Sequence, residues 1–355
     1  MTLTTTIPVQ FIKNFRECAK HIKSKRITPI EDYVLLSVTK DSLTLKKSTI
    51  ANYVQVTTTT QLATPCEMLI NEKELYSILS TPGIESITVK SEPLPPKQGE
   101  LPRSTVTILA GRGKEKHQAD NIKHYPVTPV ATSGDYEIDG DTVDKITTAA
   151  KFVSTLDNGH VWMEHVMLSK NGIYATNSHH AYKCVGQHKE YCLPLDLVSA
   201  IKGRQKVTLS QADNYLYAAF DNVVYGFQKV DGAVVKEFDY ILPQPPYDTF
   251  VIVQHSDILP FISKIDPKEY YSGVHISFAN DKGKLLALNV DTQNEKEWPF
   301  DGETTGSIDD FGVNPAMLKN ALECMPGATI NIKKPQLILN SGDEIVVIIG
   351  LIQLT

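Results

Sequence analysis

One order of elements recurs three times along this chain, and that repetition constrains the fold more than any other feature. Each copy opens on a helix-like stretch: FIKNFRECAKHI (11–22), DTVDKITTAAKFV (141–153) and SDILPFISKI (256–265). Strand-like runs follow, YVLLSV with SLTLKK, VWMEHVML with GIYATN, and VHISFA with KLLALNV. A strand then leads into a second helix, CEMLINEKELYSIL (66–79), YCLPLDLVSAI (191–201) and DFGVNPAMLKNAL (310–322), and a strand pair closes each copy. Aligning the second helices superimposes Asn71, Pro194 and Asn314, with Leu75, Val198 and Leu318 four positions on. The first helices share AKHI (19–22) against AKFV (150–153). A period of about 120 residues is a domain, whereas solenoid units repeat every 20–50 or so.

Three tandem α+β domains are therefore expected. Two Pro-rich stretches, HYPVTPVATSG (124–134) and ILPQPPYD (241–248), read as linkers and set the segments 1–128, 129–245 and 246–355. A third, SEPLPPKQGELPR (91–103), reads as a loop inside the first segment. Asp141, with Asp144 three residues on, is the expected N-cap of the helix that follows.

The tail EIVVIIGLIQLT has no charged or polar side chain from Ile345 to Ile352. A spanning helix needs about 20 apolar residues, so no membrane segment is expected. The density of Ile and Val reads as a strand. The opening MTLTTTIPVQ lacks a basic segment followed by an apolar core, so no signal peptide is expected. Five scattered cysteines, never spaced CxxC, read as free thiols in a reducing cytoplasm.

A formal charge of -6 argues against a nucleic-acid partner only if charge is evenly spread. It is not. Helix 11–22 sets Ile12, Phe15, Ala19 and Ile22 on one stripe. The other side carries Lys13, Arg16, Lys20 and Lys23, with Lys25 and Arg26 just beyond, against the single acid Glu17. Such a face is either solvated surface or a sequence-independent phosphate contact. The second segment is weaker there (Lys145, Lys151), but Lys202, Arg204 and Lys206 follow its second helix.

The segment 160–192 concentrates His160, His165, His179, His180, Cys184, His188 and Cys192. A zinc site, and with it a metal-dependent enzyme, is the sharp reading. His180, Cys184 and His188 would share one face of a helix, but GIYATNSHHAYKCVG reads as strand, turn, strand. Residues four apart on a strand are separated by about 13 Å, so no metal or other cofactor is expected. DYEIDGDTVD fails as a calcium loop because its twelfth position is Ile146. AGRGKEKH (110–117) is not a P-loop and reads as a β-turn. GxSxG and HExxH are absent, and no catalytic residue is assigned.

The chain resembles the bacterial DNA polymerase III sliding clamp (β subunit) over essentially its whole length. KRITPIEDYVLLSVTKDSLTLKKS (25–48) is similar to the family's stretch R-x-x-LPIL-x-x-LLL-x-V. YATNSHHA (174–181) resembles ATDGHRL, FDYILP (238–243) resembles FPDY-x-x-[VI]-[LI]P two residues short, and IIGLIQL (348–354) stands where the family ends VMPMRL.

The resemblance implies a non-catalytic processivity factor acting in DNA replication. Two chains of three domains would form a head-to-tail homodimer, a ring with helices inside and sheets outside. The ring would encircle double-stranded DNA and bind a DNA polymerase and a clamp loader through short apolar peptides. By resemblance Lys25 and Trp162 join the DNA-contacting set. The peptide groove would comprise Met163, Thr176, Ser178, His179, His180 and Ala181, with Phe238 and Ile241 from the linker. Ile348, Ile349, Leu351, Ile352 and Leu354 would form its tail wall. The dimer contact would pair the first domain with the third, and Ile265 is the candidate residue there. Ser178–His179–His180 for Gly-His-Arg, and Gly350–Leu351–Ile352–Gln353 for Met-Pro-Met-Arg, depart from the pattern. They leave open a scaffold derived from a clamp but without a replicative role.

Overall fold

The computed structural model describes residues 2–23, 28–60, 65–95, 103–119, 121–126, 136–154, 160–239, 242, 249–252, 255–266, 268–270, 273–279, 282–289, 291–301, 303–305, 308–333 and 336–349. Six α-helices stand where the repeat places them: α1 (Val9–Ala19), α2 (Glu72–Ser77), α3 (Gly140–Ala149), α4 (Leu195–Ile201), α5 (His255–Ile262) and α6 (Pro315–Cys324).

The aligned asparagines are helix caps. Asn71 Oδ1 accepts from the N–H groups of Lys73 and Glu74, and Asn314 Oδ1 from those of Ala316 and Met317. Each satisfies two of the four donors a helix start leaves open. Pro194 occupies the same place ahead of α4. One turn on, Leu75, Val198 and Leu318 are all buried. In α3 the expected cap is corrected: Asp139, not Asp141, accepts the N–H of Thr142 at 2.9 Å, because the helix begins at Gly140.

The 120-residue repeat divides once more. Each copy is two successive βαβββ units, so the chain runs through that order six times, with one added short strand at Glu303–Thr305. The strand leading each unit pairs with the three-strand meander of the other unit in the same segment. Leu3–Pro8 lies beside Ser86–Pro93, and Cys66–Asn71 lies beside Tyr33–Val38. The other two segments repeat the exchange.

The contacts group the chain into two compact units. The first comprises Met1–Val143 and Ser199–Lys229. It holds a four-stranded sheet ending on Gly113–Ala119, and an eight-stranded sheet in which Asn52–Thr59 pairs with Val223–Gln228. Strands 33–38 and 42–48 alternate buried and half-buried residues, as a sheet covered on one face requires. The second unit comprises Asp144–Val198 and Val230–Thr355. It holds a nine-stranded sheet in which His180–Val185 pairs with Glu344–Ile349, and a four-stranded sheet ending on Asn294–Asp301. The central segment is shared between the units because its two meanders extend different sheets.

The apolar tail has its explanation here. Glu344–Ile349 is an interior strand between Gln336–Ser341 and His180–Val185. Val346, Val347 and Ile348 are buried, each worth about 1.5–3 kcal/mol when fully removed from water. One strand reading is corrected: Val161–Glu164 is a 3-10 turn, and the strand starts only at His165. Among the described residues no helix is long and apolar enough to cross a membrane.

Candidate partner groove and nucleic-acid interface

ATNSHHA folds as a tight connection between the strands Gly172–Thr176 and His180–Val185. Thr176 Oγ1 donates to the His180 carbonyl at 2.8 Å and accepts the Ser178 N–H. Asn177 Oδ1 accepts from the N–H groups of both His179 and His180 at 3.0 Å. Ser178 takes a positive φ of 73°, an uncommon conformation for a residue with a Cβ. Ser178 and His179 are exposed, whereas Thr176, His180 and Ala181 are buried. In the strand pairing His180 stands opposite Ile348, and Ala181 opposite Val347.

Behind this turn lies an apolar cluster of Met167, Tyr174, Ala181, Phe238, Leu242, Ile338 and Val347, with Trp162, Cys192, Val235 and Ile345 packed against it. Phe238 stands edge-on to Tyr174, centroids 5.1 Å apart. The linker that carries Phe238 is tied down by its next residue. Asp239 receives Tyr174 OH at 3.0 and 3.1 Å on its two oxygens, and Lys183 Nζ at 2.7 Å. Tyr174, Lys183, Asp239 and Leu242 were absent from the sequence-derived set. A carboxylate set between apolar linker residues was the one available signal.

The expected groove residues thus meet in part. Ala181 and Phe238 share the cluster, and His180 and Ile348 flank it as strand partners. Met163 is buried, its carbonyl accepting the Ser154 N–H. Ile241, Leu351, Ile352 and Leu354, with the Ile349 side chain, lie outside the described residues. Two further residues are drawn into packing. Trp162 is half-buried against the apolar cluster. Ile265 is 5% exposed in the single chain, because a further turn after α5 tucks it inward.

His180 has an unusual environment. Its ring is buried and edge-on to Phe152 at 5.0 Å, and neither nitrogen makes a hydrogen bond of ordinary geometry among the described residues. Burial pushes its pKa down to about 4; the neighbouring His179 adds to this and the Phe152 carbonyl opposes it. The ring is therefore neutral at pH 7. His165 is also held below its ordinary range by burial, with Nδ1 2.8 Å from the Val161 carbonyl. His180 and Cys184 lie on one strand, and among the described residues no three His, Cys, Asp or Glu side chains converge to hold a metal.

In the first unit α1 buries Ile12, Phe15 and Ala19, with Ile22 following, and exposes Lys13, Arg16, Lys20 and Lys23. Lys20 pairs with Glu17 at 2.7 Å, and this bond and charge hold the Glu17 carboxyl below its usual range. Arg16 lies over the Tyr76 ring at 5.4 Å. Lys25 and Arg26 lie outside the described residues. The second basic group joins the same surface. Tyr225 OH donates to the Cys18 carbonyl at the end of α1. The Cys18 thiol is raised by burial, and the Arg204 charge partly opposes this. Lys202, Arg204 and Lys206 are exposed there, Arg204 stacking on Phe220 and Lys206 pairing with Glu137.

Paired βαβββ units that exchange their leading strands and join edge to edge define a clamp-type α+β fold. Solved structures match it from end to end. A DnaN sliding clamp (DNA polymerase III subunit β) from Pseudomonas aeruginosa is similar at a TM-score of 0.82 and 17% identity, covering 99% of this chain and 100% of that one. The Bartonella birtlesii DnaN clamp gives 0.83 at 15%, and the Thermotoga maritima β subunit 0.78 at 12%, each with the same coverage. The fold is that of the bacterial DNA polymerase III β subunit, in a highly divergent sequence. No protein-family model and no curated protein sequence matches the chain.

Proposed function

We propose that this chain is a DNA sliding clamp. Its three domains, 1–128, 129–245 and 246–355, would pair head to tail with a second copy into a ring, helices toward the hole. The single observation that carries the reading is a whole-length clamp fold bearing an exposed basic face on α1 in a chain of net charge -6. Contact through phosphates alone lets a ring slide without reading sequence. Topology then does the holding, so the reading assigns no catalytic residue. The ring would act in the cytoplasm, be opened by a separate clamp loader, and confer processivity on a replicative polymerase.

Partners would dock short apolar peptides between the 176–181 turn, Phe238 and the tail. Two inserted apolar side chains contribute about 1.5–3 kcal/mol each. With a few backbone hydrogen bonds this supports micromolar binding, about -8 kcal/mol. Because His180 is buried and neutral, this groove lacks the fixed charge of the family's Gly-His-Arg, which supports an altered peptide preference.

The test is titration of a clamp-binding peptide from the host's own replicative polymerase, using the full chain beside a version truncated after Ile349. Micromolar binding that disappears on truncation supports the clamp reading. A protein that binds neither peptide nor closed circular DNA in the presence of its loader overturns it.

A further inference from the structure

We infer that the chain carries a second copy of the partner groove, at its first strand joint, and that Tyr53 keeps this copy shut, so that each chain seats one partner peptide. This rests on the groove proposed above and deepens it, because it names the residue that sets how many partners a chain takes.

The two joints correspond residue for residue. At the first, Asn52, Tyr53 and Val54 stand opposite Phe227, Gly226 and Tyr225. At the second, His180, Ala181 and Tyr182 stand opposite Ile348, Val347 and Val346. Faces agree as well as register. Tyr225 OH reaches the end of α1, and Tyr182 stacks on Phe152 just beyond α3, so both mark the helix side. Side chains alternate along a strand. Tyr53 and Gly226, like Ala181 and Val347, therefore face away from the helices.

The surroundings repeat too. The turn into each joint strand is bonded alike: Thr49 Oγ1 accepts the N–H groups of Ala51 and Asn52, as Asn177 Oδ1 accepts those of His179 and His180. Each linker then makes the same turn, the Tyr125 N–H donating to the Ile122 carbonyl where the Leu242 N–H donates to that of Asp239. Strand pairing puts Lys46 in the place of Tyr174 and Tyr217 in the place of Ile338. Ile122 stands where Asp239 does, so the first linker lacks the carboxylate tie. Tyr125 OH holds it instead, donating to the Lys46 carbonyl at 2.8 Å.

The row of side chains across the joint is what differs. At the second joint it is Ala181, Val347 and Ile338; at the first it is Tyr53, Gly226 and Tyr217. The Tyr53 ring lies across Gly226, where a Cβ would overlap it. A glycine inside a strand commonly marks such a close approach. The ring packs against Tyr215 and Tyr217, centroids 6.5 Å away in each case, and Lys46 Nζ stands 4.9 Å above it. Tyr53 is 3% exposed although it points away from the helices. A phenol thus fills at one joint the volume that a methyl and an isopropyl group border at the other, and an apolar anchor of a partner has nowhere to enter. The Tyr217 hydroxyl is buried without a hydrogen-bond partner among the described residues, so this position uses the bulk of the ring.

The experiment is calorimetric titration of the clamp-binding peptide from the host's own replicative polymerase into full-length proteins, with circular dichroism and sedimentation to confirm folding and assembly. Wild type should take one peptide per chain. Y53A/Y217I/G226V gives the first joint the row of the second and should take two, the added site about tenfold weaker because it has no tail wall. Truncating that variant after Ile349 should leave the added site alone, and a photo-reactive peptide should then crosslink within 46–53 or 217–226. A181Y/I338Y/V347G gives the second joint the row of the first and should lose affinity on the order of 100-fold. If the opened variant does not fold, Y53A alone takes its place in the titration. A folded opened variant that still takes a single peptide overturns the inference, as does a folded closed variant that binds like wild type; either result leaves the groove reading standing. A wild-type protein that binds no peptide overturns both.

Discussion

Lys183 and Asp239, on a strand and on the linker it faces, lie 2.7 Å apart, and Tyr174 OH bonds to both oxygens of the same carboxylate. This three-residue tie anchors the linker on the C-terminal side of Phe238. It acts beside two further ties of the linker, Asn171 Nδ2 to Glu237 at 2.8 Å and the Lys236 N–H to Met167 Sδ at 3.3 Å, and without it the apolar linker side chains would be held less firmly against Tyr174 and Ala181. Asp239 is 39% exposed, so the ion pair itself contributes little. The larger loss is two hydrogen bonds to a charged acceptor.

Asp239→Ala is accordingly expected to cost about 1–2 kcal/mol of stability and to weaken peptide binding about tenfold, with the dimer unchanged. Asp239→Asn should keep part of the Tyr174 bond and fall between. Peptide titration beside thermal unfolding checks both; an unchanged affinity in a destabilised protein would separate the tie from the groove.

On α1, replacing Lys13, Arg16 and Lys20 by Glu leaves the buried stripe of Ile12, Phe15 and Ala19 untouched. Stability should shift by less than about 1 kcal/mol, since the lost Lys20–Glu17 pair and the Arg16–Tyr76 contact are both at the surface. DNA retention should fall, and the slope of log affinity against log salt should shrink by up to about 3. Retention on nicked circular DNA across a salt series measures it. An unchanged slope would remove this face from DNA binding.

Asn71 and Asn314 make the repeat itself testable. Each accepts two backbone donors at the start of a short helix, so Asn→Ala at either should cost about 1 kcal/mol, and the two changes should add. Denaturant unfolding would read this directly. Values well below that at one site would mean water replaces the side chain there.

These caps explain why so much of the fold was legible. A cap followed by a buried residue one turn on is a local signal, and it survives wherever the helix does. The partition of each copy into two βαβββ units was legible only by half. The strands leading into the second helices were read, but those ahead of the first helices, as short as Tyr136–Asp139, were not, because they pair with strands far along the chain. Site residues divide the same way. Lys13, Arg16 and Lys20 announce themselves opposite a stripe, but Asp239 acquires its role from Tyr174, 65 positions away. The burial of Trp162 and Ile265 is set by packing that the local pattern does not encode.

The neutral, buried His180 gives the groove a pH dependence whose sign can be worked out. Its folded pKa, about 4, lies below the unfolded value near 6.5, so between those values the unfolded or opened chain binds the extra proton. Stability is therefore complete above about pH 6.5 and declines as the pH falls toward 4, by on the order of 3 kcal/mol in all. Because His180 pairs with Ile348, the loss should appear first as opening of the tail strand. Amide exchange, corrected for the intrinsic pH effect, should show residues 344–348 and 180–184 losing protection between pH 7 and pH 5, while the 33–59 strands change little. His180→Phe keeps the ring against Phe152 and removes the proton site, so it should abolish this dependence. If protection falls equally in the His180→Phe protein, acid acts through another group, and His179 and Glu344, which borders the same strand pair, become the groups to replace next.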